Sequence, residues 1–245
     1  MWDSPRLLNL VADLLLTAAA LVLLLAAAYW LEPHFPVREV VVVSELREVQ
    51  RKDVERALGG RLGASFFRVD LEGLRQSLEQ QPFVRRAQVR RQWPSRLEIV
   101  IEEHRPAAWW GEDAAQLVND RGEVFAAGYF GDENLPMLMG PSGTSAELLR
   151  RYAEFAQQLA PTGLRPQRVL LSERLAWQIW LDNGMLIDLG REQAKVPIRM
   201  RLARFVAHHA QVTTGKIPLA VDVRYPNGFV LRYDSSAESK GRGKQ

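Results

Sequence analysis

Residues 89–106 read VRRQWPSRLEIVIEEHRP, and Glu98, Glu102 and Glu103 stand there among Arg90, Arg91, Arg96 and Arg105, with Arg85 and Arg86 just ahead. Three kinds of chemistry use such a mixture: an acid–base pair of carboxylates, a phosphate-gripping basic patch, or the solvated face of a sheet. Glu102 and Glu103 are neighbours, and on a strand they point to opposite faces, so they cannot form a catalytic pair. Gly59, Gly60 and Gly63 are the other phosphate candidates, but no Lys-Ser/Thr follows them and a helix-to-helix turn needs glycine there. Four histidines, His34, His104, His208 and His209, are the only imidazoles. A helical zinc pair needs i, i+4 spacing, which the adjacent His208 and His209 lack. Cysteine is absent, which removes thiol nucleophiles, disulfides and zinc fingers. No G-x-S-x-G, Walker loop or His-Glu-x-x-His occurs. The expectation is a chain that is no enzyme, with no catalytic residue, cofactor or metal.

The surrounding elements decide what the charges do. A net charge of only +3 argues against a nucleic-acid binder, which concentrates a larger basic excess. Leu14–Leu31, LLLTAAALVLLLAAAYWL, carries no charge. As a helix it is about 27 Å long, close to the roughly 30 Å hydrocarbon core. Tyr29 and Trp30 would anchor its far end in the aromatic belt. The competing readings are a signal peptide cleaved after Ala26-Ala27-Ala28 and a buried core helix. The run exceeds the ~7–15 apolar residues usual in a signal peptide, and it has no polar face to separate core from solvent. A short amino-terminal stub and a large remainder imply a single anchor with the amino terminus inside.

Beyond a stiff linker, 32–36, residues 37–46 read as a β-branched strand. RKDVERAL, 51–58, puts Val54, Ala57 and Leu58 on one helical face, and Gly59-Gly60 ends that helix through a left-handed cap. Asp70 caps a second helix bearing Leu71, Leu74 and Leu78, which Pro82 stops. Ala87, Val89, Arg91 and Trp93, then Leu97, Ile99 and Ile101, mark the buried face of a hairpin turning at Pro94-Ser95. Its arginines and glutamates belong mostly to the wet face, paired across strands. Residues 116–125 form a hairpin turning at Asp120-Arg121-Gly122, followed by a loop, 128–143. A helix opens with Thr144 and Glu147 as a capping box, carries Leu148, Tyr152, Phe155 and Leu159, and ends at Pro161. Residues 176–190 form a hairpin whose Asn183-Gly184 suits a type I′ turn. Ile198, Leu202, Phe205 and His209 mark a further helix with Lys195, Arg199, Arg201 and Arg204 around it; its apolar stripe is better used in the core than on lipid. Trp93, Trp109, Trp110, Trp177 and Trp180 fall in strands or at their ends, where aromatics pack well.

A last hairpin, VDVRYPNGFVLRY, 221–233, turns at Pro226-Asn227-Gly228 and precedes a polar tail. A terminal strand at a sheet edge offers unpaired backbone groups. It either accepts a strand from a partner or is covered by the chain's own tail.

Several segments together resemble the FtsQ family of bacterial cell-division proteins, called DivIB in Gram-positive bacteria. They are Pro82-Phe83-Val84, Arg91-Gln92-Trp93-Pro94, Glu103-His104-Arg105-Pro106-Ala107, Trp177-Gln178 through Asn183-Gly184 to Leu189-Gly190-Arg191, Arg201-Leu202-Ala203-Arg204-Phe205 and Asp222-Val223-Arg224-Tyr225. The resemblance implies an α+β fold: a single N-terminal transmembrane helix, a POTRA domain (β-α-α-β-β), then a mixed, mainly antiparallel β-domain with two helices. The implied division is a cytoplasmic stub 1–13, a membrane helix 14–31, the POTRA domain 37–105, the β-domain 106–233 and a disordered tail 234–245. It implies a non-enzymatic divisome scaffold in the inner membrane, at the septum, binding the FtsB–FtsL complex and, through the POTRA domain, other division proteins. A transport or chaperone role is the alternative, since POTRA domains also serve secretion. For FtsB the resemblance implies Arg174, Arg224, Tyr225, Gly228, Phe229, Val230, Leu231 and Tyr233. Tyr233 stands where some relatives have Trp, and Pro226-Asn227 where some have Asp-Ser.

Overall fold

In a computed structural model the uncharged amino-terminal run forms one helix, α1 (Pro5–Leu31). The structure describes residues 5–31, 36–60, 65–129, 131, 134–225 and 227–233. Outside them lie the first four residues of the stub, most of the linker with His34, Gly63 of the glycine cluster, Pro226 of the last turn and the tail. Within α1, Asn9–Ala27 is long and apolar enough to cross a bilayer, and none of it is buried by protein, which excludes the core-helix reading. The hydroxyl of Thr17 bonds back to the carbonyls of Asp13 and Leu14, both at 2.9 Å, so the helix presents no unpaired side-chain donor there.

The chain divides into two compact units, Met1–Glu103 and His104–Gln245. The first continues with β1 (Glu39–Val42), α2 (Arg51–Leu58), α3 (Leu71–Glu79), β2 (Val84–Gln92) and β3 (Arg96–Glu103). Its sheet order is β1-β3-β2, with β1 parallel and β2 antiparallel to β3. Val54, Ala57 and Leu58 of α2, Leu74 and Leu78 of α3, and Ala87, Leu97, Ile99 and Ile101 of the sheet form its core. Asp70 caps α3 by accepting from the Gly73 N–H at 2.9 Å. The hairpin charges pair across strands as expected: Arg90 with Glu98 at 2.6 Å and Arg85 with Glu102 at 3.1 Å. The hydrogen bond from Arg90 lowers the Glu98 pKa.

Three expectations for this unit change. The strand read over 37–46 is only four residues long, because β1 leaves the sheet after Val42. Glu103 then captures the departing loop, accepting from the N–H groups of Val49 at 2.8 Å and Arg47 at 3.0 Å. Arg91 does not fill the buried face; its guanidinium donates to the carbonyls of Phe66 at 2.8 Å and Val69 at 2.7 Å. Trp93 does not pack either and is 75 % exposed. Replacing Glu103 by alanine is expected to cost about 1–2 kcal/mol, since it frees several backbone donors at once. Hydrogen exchange should show faster exchange at Arg47 and Val49 with little change along β3.

The second unit holds β4 (Pro106–Trp110), β5 (Gln116–Asn119), β6 (Val124–Phe125), β7 (Met137–Met139), α4 (Ser145–Leu159), β8 (Pro166–Leu171), β9 (Ala176–Leu181), β10 (Leu186–Arg191), α5 (Ile198–Thr213), β11 (Ala220–Asp222) and β12 (Val230–Arg232). These strands build one sheet of order β12-β11-β10-β9-β8-β7-β4-β5-β6. β7 runs parallel to both neighbours and β11 runs parallel to β10; the other pairs are antiparallel. Leu148, Phe155 and Leu159 of α4 and Ile198, Leu202 and Phe205 of α5 lie in one buried cluster with Val169, Ile179, Ile187 and Val221 of the sheet. The α+β class and the single apolar amino-terminal helix stand as read.

Details of this unit differ from the sequence reading. The segment 128–143 is not all loop, since it contains β7 in the middle of the sheet. The capping box does not form: the Thr144 hydroxyl donates to the Pro141 carbonyl at 2.7 Å, and Ser145 instead ties α4 to Gly122. The β9–β10 turn is not type I′, because only Gly184 is left-handed, at φ 82°, and Asn183 is not. Its N–H closes on the Leu181 carbonyl at 3.0 Å, so glycine occupies a bulge position after a turn centred on Asp182-Asn183.

Candidate functional site

Among the described residues, β12 is the edge of the large sheet. It pairs antiparallel with β11 in the register Ala220↔Arg232, Val221↔Leu231 and Asp222↔Val230. The Leu219 N–H donates to the Arg232 carbonyl at 2.8 Å, so the backbone of Arg232 faces inward. Backbone groups alternate in direction along an antiparallel strand, and the N–H and C=O of Leu231 therefore face outward. Val230 and Tyr233 are exposed at 54 % and 43 %, whereas Phe229 and Leu231 pack against the core.

The approach to this strand is braced by arginines. Arg224 donates from Nε to Asp222 Oδ1 at 2.9 Å and from Nη2 to Oδ2 at 2.6 Å, with Asp188 at 3.8 Å beyond. Partial burial would raise the Asp222 carboxyl, but the hydrogen bonds from the Arg224 side chain and backbone outweigh it and hold the group below its ordinary 3.8. The same pairing raises Arg224. Arg204, on α5, donates to the carbonyls of Val223 at 3.0 Å and Tyr225 at 2.5 Å and lies 5.4 Å from the Phe229 ring centroid. His208 sits edge-on to the same ring, 6.1 Å between centroids, and its Nδ1 meets the Arg204 carbonyl.

Gly190 makes room for this network. It sits at a bulge in β10 with φ 70°, and a methyl group there would come within 2.8 Å of Arg224 Cδ. Replacing Gly190 by alanine is expected to destabilise the unit by about 1–3 kcal/mol through the left-handed backbone and to dislodge Arg224. Urea unfolding should record the loss, and a crystal structure of the variant should show the Arg224–Asp222 pair displaced.

The hairpin thus gathers Arg224, Tyr225, Gly228, Phe229, Val230, Leu231 and Tyr233. Gly228 has an ordinary φ and open space around it, so nothing local demands glycine. Arg174 is exposed in the turn between β8 and β9. Strand directions put that turn at the end of the sheet where β10 finishes and Arg224 stands. Three strand spacings, roughly 14 Å, separate β9 from β12.

Sequence reading missed Arg201, Arg204 and Gly190 as supports. Arg201 was read as part of the basic surround of α5, yet it is 1 % exposed. Its Nη1 donates to the carbonyls of Leu189 at 2.6 Å and Arg191 at 2.8 Å, while Nε and Nη2 have no hydrogen-bond partner. The available signal was its place in the stripe Ile198, Arg201, Leu202, Phe205, where every other member is apolar.

Among the described residues, no group of three or more His, Asp or Glu side chains is placed to hold a metal. His104 has a structural place: its ring stacks on Phe125 at 4.2 Å, and its Nδ1 accepts from the Asn119 amide at 2.9 Å. His208 and His209 each meet a carbonyl of their own helix.

Comparison with known proteins agrees with this architecture. Residues 35–104 match the model of the FtsQ-type POTRA domain, and residues 108–224 match that of the cell division protein FtsQ/DivIB C-terminal region. The chain is 42% identical over 238 residues to the cell division protein FtsQ of Burkholderia pseudomallei, covering 95% of this chain and 94% of that one. It is 36% identical to FtsQ of Bordetella pertussis, covering 94% and 92%, and 32% identical to FtsQ of Neisseria gonorrhoeae, covering 95% of each. With both folded units and nearly the whole length matched, the chain belongs to the FtsQ/DivIB family of cell division proteins.

Proposed function

We propose that this cell division protein is a non-enzymatic scaffold of the inner membrane at the division septum. α1 anchors it, with the amino terminus in the cytoplasm and both folded units in the periplasm. It recruits FtsB and FtsL as a complex and meets other division proteins through the POTRA unit, linking early cytoplasmic components to late periplasmic ones. FtsB adds a strand along β12. Val230, Leu231 and Tyr233 meet that strand, Tyr225, Gly228 and Phe229 shape its entry, and Arg224 and Arg174 offer positive charge at the same end of the sheet.

The observation that carries this reading is the edge of β12, which is open among the described residues. The backbone of Leu231 faces away from β11, and Val230 and Tyr233 are exposed beside it. Strand addition draws affinity from main-chain hydrogen bonds and specificity from alternating side chains, and this edge offers both. Arg204 fixes the backbone of Val223 and Tyr225, so the edge is held in shape before a partner arrives.

The test is titration of the full chain in nanodiscs with the periplasmic segment of the cognate FtsB, for the unaltered chain, Tyr225→Ala and Phe229→Pro. Binding by the first and loss of most affinity by folded variants supports docking on the last hairpin. Equal binding by all three removes this hairpin as the site, and binding by none removes FtsB alone as the partner.

A further inference from the structure

We propose that the anchor-side end of the POTRA unit docks on the surface of the phospholipid bilayer that holds α1, through Trp93 and Phe67 set among arginines. This goes beyond the scaffold role and rests on α1 spanning the membrane.

The two aromatics are the first observation. Trp93 is 75 % exposed and Phe67 52 % exposed, although large aromatics usually lose most of their surface on folding. They belong to neighbouring segments. Trp93 lies in the β2–β3 turn, and Arg91, two residues earlier, donates to the carbonyls of Phe66, Phe67 and Val69.

Their position is the second. The Arg38 N–H donates to the Ser95 carbonyl at 2.9 Å, and Pro36 bridges to Ser65. Pro36 follows Leu31, the last residue of α1, by five residues and Arg38 by seven. Fully extended chain spans at most ~3.6 Å per residue, so these points lie within about 18 and 25 Å of the helix end. The Arg68 guanidinium is closer still, 5.6 Å from the ring centroid of Tyr29, near the end of α1. Trp93 and Phe67 therefore share the end of the unit that faces the headgroups.

Charge is the third. Arg38, Arg68, Arg91 and Arg96 are exposed at this end. Of the carboxylates nearby, Glu39 is paired with Arg96 at 2.7 Å, Glu98 with Arg90 at 2.6 Å, and Asp70 caps α3. The balance is positive, which suits anionic headgroups, and Trp favours the interfacial layer where its ring and N–H are both accommodated. Docking here would hold the POTRA unit at a set height and orientation above the bilayer instead of leaving it to swing on its linker.

The absence of native cysteine permits a direct test. The full chain is labelled with an environment-sensitive fluorophore at Gln92→Cys, Glu48→Cys or Leu24→Cys and placed in nanodiscs of phosphatidylethanolamine and phosphatidylglycerol. Nitroxide lipids then quench at headgroup depth or deep in the acyl region. Glu48 stands by Glu103, at the opposite end of β3 and about 25 Å away. The expected result is headgroup quenching at position 92 about threefold or more above that at 48, as for a ring held in the interface. Trp93→Ser with Phe67→Ser should lower it to the level at 48 while the urea unfolding curve of the unit is retained. Equal quenching at 92 and 48, or quenching at 92 that survives the double change, overturns the proposal; the first result would leave the patch to a protein partner. Deep quenching at position 24 reports the anchor separately. Its loss removes the anchor and the docking together, whereas its presence with no quenching at 92 removes only the docking.

Discussion

With a partner strand added along β12 as proposed, replacing Val230 by aspartate is expected to weaken its capture about a hundredfold and to cost about 1–2 kcal/mol of stability. Val230 is 54 % exposed in the free chain, so an aspartate there stays largely in water, but it faces Asp222 across the β11–β12 pair, and like charges directly opposite are destabilising. The backbone of Val230 alternates with that of Leu231 and faces β11, so the change leaves the outward hydrogen-bonding groups untouched. Once a strand is added, the same position is flanked by a cross-strand neighbour and loses water. The variant forfeits roughly 1.5 kcal/mol of apolar burial and must also desolvate a carboxylate. Together these approach the 2.7 kcal/mol or so that a hundredfold change represents. Val230→Thr keeps the β-branched shape and should bind within about tenfold of the unaltered chain. Undiminished binding by the aspartate variant would exclude strand addition along β12.

Arg201→Ala should produce the largest loss of stability, about 3 kcal/mol, lowering the unfolding midpoint by roughly 6–12 °C for a unit of this size. The guanidinium is buried, and its Nη1 supplies donors to the carbonyls of Leu189 and Arg191 at the end of β10. Alanine leaves those oxygens unpaired and opens a cavity beside Leu202 and Phe205. Methionine fills the cavity without restoring the donors, and it also removes two buried nitrogens that have no hydrogen-bond partner. Arg201→Met should therefore cost clearly less than Arg201→Ala. Equal losses in the two variants would assign the whole effect to the missing donors. Because β10 carries Gly190, over which Arg224 lies, the alanine variant should also weaken partner binding.

What could be read in advance followed the range over which each signal acts. α2, α3, α4 and α5 were legible because their apolar residues recur at helical spacing, and each such face is buried. Hairpins were legible where glycine marks the turn, though the turn type was not: Gly184 signals a reversal, but a bulge position uses the same residue as a type I′ turn. β7 escaped because Met137, Leu138 and Met139 sit in the middle of the sheet and show no alternation over three residues. The failed capping box and buried Arg201 have another cause. Thr144 found a local carbonyl at Pro141, and Arg201 found carbonyls ten and twelve residues away, which no local pattern encodes. At the candidate site the edge strand could be placed from its terminal position. The arginine bracing from α5 could not, because it depends on where that helix crosses the sheet.

The two rims of the large sheet are unequal, and this bears on stoichiometry. β6 has two residues and β12 three, so both rims offer short templates for pairing, with β12 the longer. A sheet with two serviceable rims can grow without limit by head-to-tail addition. With one serviceable rim, each molecule has a single valence. Two copies meeting through β12 would pair about a twofold axis and close, leaving no free β12 rim to recruit a third. Self-pairing at β12 is therefore closed and does not lead on to a fibre.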